Sequence, residues 1–155
     1  MTTDSEVRYT KGPERQMGHV FADILITNRR DRILADAGVI AEAAVRSLDL
    51  RGVLVDTGAS HLALPGRLIT QLGLELADTV QVSTADGPRS SRLFTDAHLV
   101  VDGRVDSFGC IELPDNAEPL LGVIPLETLG LEPDLTNRRL RQLPRSGRGT
   151  HLLLY

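Results

Sequence analysis

An all-β fold, a small closed or partly open β-barrel with one or two short helices, is what this sequence predicts. Short apolar runs with strand-like alternation recur between residues 19 and 113. Two of the gaps between them, Ala85-Asp86-Gly87-Pro88 and Asp102-Gly103, hold the residues that hairpin turns require. A chain of 155 residues suits one ordinary domain with a real core, and strands at this spacing close most readily into a small barrel.

The elements follow in order. Residues 1–17 are polar and charged, include Gly12-Pro13, and read as a loose leader before a domain covering 18–155. Residues 19–27 alternate, with Val20, Ala22, Ile24 and Ile26 on one face of a strand that residues 28–31 break. Residues 33–45 are rich in alanine, ambiguous between helix and strand, and read as an insertion ahead of the strand that residues 45–50 lead into. Residues 62–64 suit a short strand; Pro65 then opens a helix with Leu68, Ile69 and Leu72 on its apolar face and Gly73 at its end. Residues 80–84 and 91–94 flank the first hairpin turn, and 97–101 and 105–113 the second. Residues 125–131 fit a one- or two-turn helix, and 131–143 a hairpin around a polar turn at 134–137. The apolar end, 151–155, reads as a strand that must pair, because an open apolar edge invites aggregation.

Composition narrows the classes. A net charge of −4 fits a chain with no nucleic-acid partner. No secretory signal opens the sequence and no run of eighteen apolar residues occurs, so no membrane segment is expected and a cytoplasmic location is. The single cysteine, Cys110, sits in an apolar run and suits a small buried hydrophobe better than a reactive thiol. His19, His61, His98 and His151 are scattered without metal-ligand spacing, and no glycine-rich phosphate loop is present, so no metal or cofactor is expected. The arginines of 138–148 lack interleaved aromatics and read as a solvated loop rather than a phosphate-binding tail.

Chemistry concentrates in Val53-Leu54-Val55-Asp56-Thr57-Gly58-Ala59-Ser60, where an apolar strand runs into an acid, a hydroxyl and a glycine. A carboxylate at the end of a buried strand is costly to desolvate and needs hydrogen-bond donors or a chemical task. Taken alone the tripeptide is also compatible with a strand that simply ends in an Asp-Thr-Gly turn. The second apolar segment, Leu120-Leu121-Gly122-Val123-Ile124-Pro125, changes the balance. Together the two segments resemble the retropepsin-like aspartic proteases, in which an Asp-Thr-Gly-Ala loop is followed by a flap hairpin, an apolar-apolar-Gly strand and a short helix. All four occur here in that order, over about residues 18–155, with the flap tip about thirty residues beyond Asp56. The likeness is closest to small single-domain members.

The resemblance implies a fold, a partner and roles. Aspartic-protease chemistry uses two carboxylates sharing a proton, and only one Asp-Thr-Gly occurs, so the second Asp56 must come from another copy in a symmetric homodimer. One carboxylate would activate water while the other polarises the peptide carbonyl and helps protonate the leaving amine. Thr57 would brace the two loops across the dimer, and Gly58 would leave room for that approach. Ala59 and Ser60 would line the cleft, and the flap at Thr84, Ala85, Asp86, Gly87 and Pro88 would close over an extended peptide. With aromatic content at only 3%, pockets would be built from residues such as Leu62, Val82, Val123 and Ile124. His61 follows the motif and fits a surface or hydrogen-bonded histidine better than a catalytic one.

The flap departs from the family pattern: it has no aromatic residue, one glycine at its tip, and Pro88 stiffening its far side and removing a donor. Two functions stay open. An aspartic endopeptidase, dimeric and cofactor-free, explains Asp56 and Thr57 together. A dimeric peptide-binding module with negligible proteolysis explains the flap. A plain structural dimer explains the barrel and leaves the acid unexplained.

Overall fold

The structure, a computed structural model, describes residues 18–144. The expected leader at 1–17, the terminal strand at 151–155 and the far part of the arginine-rich stretch lie outside the described residues.

The described residues are mostly strand: β1 (Val20–Asn28), β2 (Ser47–Val55), β3 (Leu62–Pro65), β4 (Glu75–Thr84), β5 (Gly87–Val101), β6 (Arg104–Leu113), β7 (Leu120–Leu121), β8 (Leu131–Asp134) and β9 (Arg139–Gln142). Among the described residues three short α-helices interrupt the strands, α1 (Arg29–Asp36), α2 (Gly66–Leu72) and α3 (Val123–Leu129), with a single 3-10 turn at Glu42–Ala44. The first of these corrects the expected count of one or two. It begins in residues 28–31, expected only to break β1, and overlaps the undecided alanine-rich segment 33–45 only at its end. A capping side chain starts it, Asn28 Oδ1 accepting from the Asp31 N–H at 3.0 Å.

Alternation fixes the inner face. Val20, Ile24 and Ile26 are buried as the period-2 pattern of β1 predicts. β1 to β7 form one sheet in the order β1-β2-β7-β3-β6-β5-β4, and β5 pairs a second time, with β1. Those pairings run in a cycle through β1, β2, β7, β3, β6 and β5, with β4 carried outside it on β5. The core within includes Leu62, Leu64, Leu72, Leu99, Leu121 and Leu126, none more than 2 % exposed. Helix α2 buries Leu68, Ile69 and Leu72 and ends at Gly73 with φ 65°, both as the sequence indicates.

One strand does two jobs. β5 spans fifteen residues where the sequence suggested two separate strands. Its first half forms a hairpin with β4, Thr84 to Gly87 through Leu76 to Phe94; its second half pairs with both β6 and β1. The β5–β6 register slips between Phe94 and Ala97, where Asp96 takes φ 69°. The bulge shifts the pairing with β6 while β5 stays continuous and β4 remains in the same sheet. The second hairpin turn is as expected, with Asp102 and Gly103 both at positive φ, as a type I′ connection needs. β8 and β9 make a separate hairpin.

Candidate active site

Buried Val53 and Val55 carry β2 through the core, so the next residue, Asp56, emerges half-buried at the strand end. Its N–H donates to the Leu121 carbonyl at 3.0 Å, extending the parallel β2–β7 pairing in which Val55 faces Leu121. A tight turn follows. The Ala59 N–H donates to the Asp56 carbonyl at 3.0 Å, and the Gly58 N–H donates to Asp56 Oδ1 at 2.9 Å. That donor satisfies one carboxylate oxygen; Oδ2 accepts no hydrogen bond among the described residues. Thr57 is exposed and its hydroxyl makes no hydrogen bond among them.

The chain from β7 locks this turn in place. At Gly122 a Cβ would lie 2.5 Å from the His61 carbonyl oxygen, 2.6 Å from that of Ala59 and 2.7 Å from the His61 nitrogen, so only glycine lets the strand pass. Immediately beyond, the N–H groups of Val123 and Ile124 donate to the Ala59 and Ser60 carbonyls at 2.8 and 2.9 Å. The loop 56–61 thus takes its shape from backbone contacts with one short segment sixty-odd residues away in sequence.

A cleft of about 980 Å³ opens beside it, between Gly58–His61 and the β4–β5 hairpin. Its floor is a row across four strands: Leu120 faces Ala63, Ala63 faces Ile111, and Ile111 faces Leu93. Cross-strand partners share a face, so the row is an apolar surface opposite the core face that holds Leu62 and Cys110. On β5 the same face continues through Ser91 to Arg89, paired with Val80 and Val82 of β4.

Polar groups stand around that floor. Ser60 Oγ and His61 Nδ1 are 2.7 Å apart beside the Asp56 turn. Arg92 donates Nε and Nη2 to Glu112 Oε1 and Oε2 at 2.7 and 2.8 Å and lies over the Phe94 ring, 5.3 Å from its centroid. The hydrogen bonds to Glu112, and its charge, make the guanidinium hold its proton more tightly than usual. Asp115 accepts from the Arg67 N–H at 2.8 Å, at the start of α2. Cys110 is fully buried, and burial pushes its thiol up to about 12, which fits packing and not nucleophilic chemistry.

The expected site residues divide into three groups. Gly58, Ala59, Ser60, Val82 and Thr84 line the cleft, and Asp56 and Thr57 adjoin it through Gly58. Ala85, Asp86, Gly87 and Pro88 form the hairpin tip outside the lining, with the turn itself narrowed to Ala85-Asp86 and Gly87 and Pro88 already in β5. Leu62, Val123 and Ile124 stand apart. Leu62 is wholly buried in the core and has no surface to offer a substrate, while Val123 and Ile124 open α3 behind the loop. Sequence reading passed over Ala63, Leu93, Ile111 and Leu120, which line the cleft floor, Leu93 and Leu120 half-buried and Ala63 and Ile111 with little exposure, a grouping visible only once the strand register is known.

The aspartyl protease family model matches residues 40–124, more than half of the chain, spanning the loop, the hairpin and the Leu120-Leu121-Gly122 segment. A comparison with curated proteins gave no match. With the Asp-Thr-Gly turn, the strand that locks it and the hairpin beside it all inside the matched region, the chain belongs to the aspartyl protease family, of the retropepsin-like kind.

Proposed function

We propose that this chain is an aspartic endopeptidase that works as a homodimer, each subunit contributing one Asp56 to a pair of carboxylates that activates a water against a peptide bond. The observation that carries this reading is the Asp56 turn itself. It presents one carboxylate per chain, with one oxygen held by the Gly58 N–H and the other open, on a backbone that Gly122 and Leu121 fix from behind. Two such groups brought together share a proton, so one acts as base toward water and the other as acid toward the carbonyl and then the leaving amine. Thr57, exposed and without an intrachain partner among the described residues, is free to reach the other subunit's loop. The cycle of strand pairings is read here as the partly open barrel that holds this turn, and the cleft under the β4–β5 hairpin as the seat of an extended peptide.

The test is direct. Asp56→Asn is nearly isosteric but can neither act as base nor share the dyad proton, so peptide cleavage is expected to vanish while folding and self-association persist. Substantial cleavage by a purified Asp56→Asn sample would end the assignment.

A second reading, a dimeric peptide-binding module with little proteolysis, is favoured by one observation. The hairpin tip is closed by its own side chain, Thr84 Oγ1 donating to the Gly87 carbonyl at 2.7 Å and accepting from the Asp86 N–H at 3.2 Å, with Pro88 beside it. A stiff tip would hold a peptide yet slow the opening that turnover needs. Binding of apolar peptides without any cleavage by the wild-type chain would select this reading.

A further inference from the structure

The cleft is apolar along its floor and basic at its hairpin end, and the two arginines there are not equivalent. Arg92 is committed, with two nitrogens on Glu112 and its plane over Phe94. Arg89 is two strand steps from Leu93 on the cleft-facing side of β5, opposite Val82, and no carboxylate pairs with it among the described residues. Of the nearby acids, Glu112 holds Arg92, Asp115 accepts from the first turn of α2, and Asp78, opposite Leu93 and four residues along the ladder from Arg89, accepts from the Thr79 N–H at 2.7 Å. Among the described residues the cleft therefore keeps Arg89 as a cation with no ion-pair partner beside an apolar track.

We propose that Arg89 is a specificity-determining residue, pairing with an acidic side chain of an extended peptide whose apolar neighbours rest on Leu93, Ile111 and Leu120. The proposal rests on the peptide-cleft reading above for its ligand, but not on hydrolysis. An extended peptide turns alternate side chains to one face, so a single carboxylate can meet Arg89 while residues two and four positions away on the same face lie over the floor. Guanidinium suits this task, because its planar fork takes a carboxylate through two donors and keeps its charge at every working pH.

The experiment uses the full chain carrying Asp56→Asn, so that binding is read without cleavage. Labelled apolar peptides with Glu, Gln or Lys scanned through each position are titrated by fluorescence anisotropy at low and high salt. In the best register Glu is expected to bind about fivefold tighter than Gln, the scale of one exposed ion pair. That preference should shrink in about 1 M salt, where the screening length falls to about 3 Å. Arg89→Lys should retain the preference, and Arg89→Glu should reverse it toward Lys peptides. Equal binding of Glu and Lys peptides, a preference unchanged in Arg89→Glu, or no binding of any peptide would each overturn the proposal. Charge-selective binding with no cleavage by the wild-type chain would support Arg89 and defeat the endopeptidase reading; cleavage with no charge selection would do the reverse.

Discussion

At Gly122 a single missing methyl group decides whether the Asp56 turn can exist. The atoms that an alanine would meet, the His61 and Ala59 carbonyl oxygens and the His61 nitrogen at 2.5 to 2.7 Å, are all backbone and cannot rotate away. Gly122→Ala should cost about 1–3 kcal/mol or more, the range of overpacked sites, and should be read as a lower unfolding midpoint in urea. Gly58 makes a contrast. A Cβ there meets only Asp56 Oδ1, at 3.2 Å, which can swing aside. Gly58→Ala should therefore keep most of the stability while losing cleavage out of proportion, because the displaced atom is the carboxylate itself. Equal losses of stability in the two variants would show that the strand behind the turn does not lock it. At this scale the sequence marked Asp56 and Gly58 through the Asp-Thr-Gly tripeptide, while the close approach that requires Gly122 is visible only in the structure. Leu62 was misplaced as a pocket residue because strand parity after a turn is invisible in sequence. A one-residue slip exchanges core and cleft faces, and it is Ala63 that faces out of the core.

Among the elements, the insertion between β1 and β2 was the least legible, and its anchoring shows why. Helix α1 leaves Ile33 and Leu34 exposed, so no buried stripe announces it. It is held instead by polar contacts that are scattered in sequence. Asn28 Nδ2 donates to the Leu72 and Gly73 carbonyls at 2.8 and 3.2 Å, tying the start of α1 to the end of α2. Buried Asp31 accepts from Arg46 Nε and Nη2 at 2.8 and 3.0 Å, and from the Arg46 N–H at 3.1 Å. Hydrogen bonding from Arg46 outweighs burial and holds the Asp31 carboxyl below its ordinary range. The folded chain thus binds that proton less readily than the unfolded chain does. The pair's contribution is complete above the unfolded carboxylate value of about 4 and is lost as pH falls through the lower folded value. Asp31→Asn should be destabilised at pH 7 by about 1–3 kcal/mol, the cost of spoiling a buried charge-assisted contact. Its unfolding free energy should also fall less steeply than the wild type's between pH 4 and pH 2. Parallel pH profiles for the two proteins would mean that Asp31 contributes no pH-dependent stability. The hairpins, by contrast, were legible from their turns alone, since Asp102-Gly103 carries its backbone preference with it.

For the molecule as a whole, the fold builds one Asp-Thr-Gly turn, half of what the proposed mechanism requires. Local sequence indicated strands and turns, but the cycle of pairings that sets β7 between β2 and β3 is a long-range arrangement, joining Leu54 to Leu120 and Ala63 to Leu120. What it delivers is one Asp56 per chain, with an open carboxylate oxygen and an exposed Thr57 next to it. If the reaction needs two such carboxylates, a lone subunit holds half of the machinery, and the active species is governed by mass action. On serial dilution, the rate against an apolar peptide should therefore fall faster than linearly once the concentration drops below the dissociation constant. Specific activity should track the dimer fraction measured by sedimentation across the same series. Mixing wild type with excess Asp56→Asn chains should depress activity further, because mixed dimers carry one carboxylate and cannot share a proton. Constant specific activity at concentrations where sedimentation finds only monomer would refute the shared-carboxylate mechanism, and would require a second acid from within the same chain.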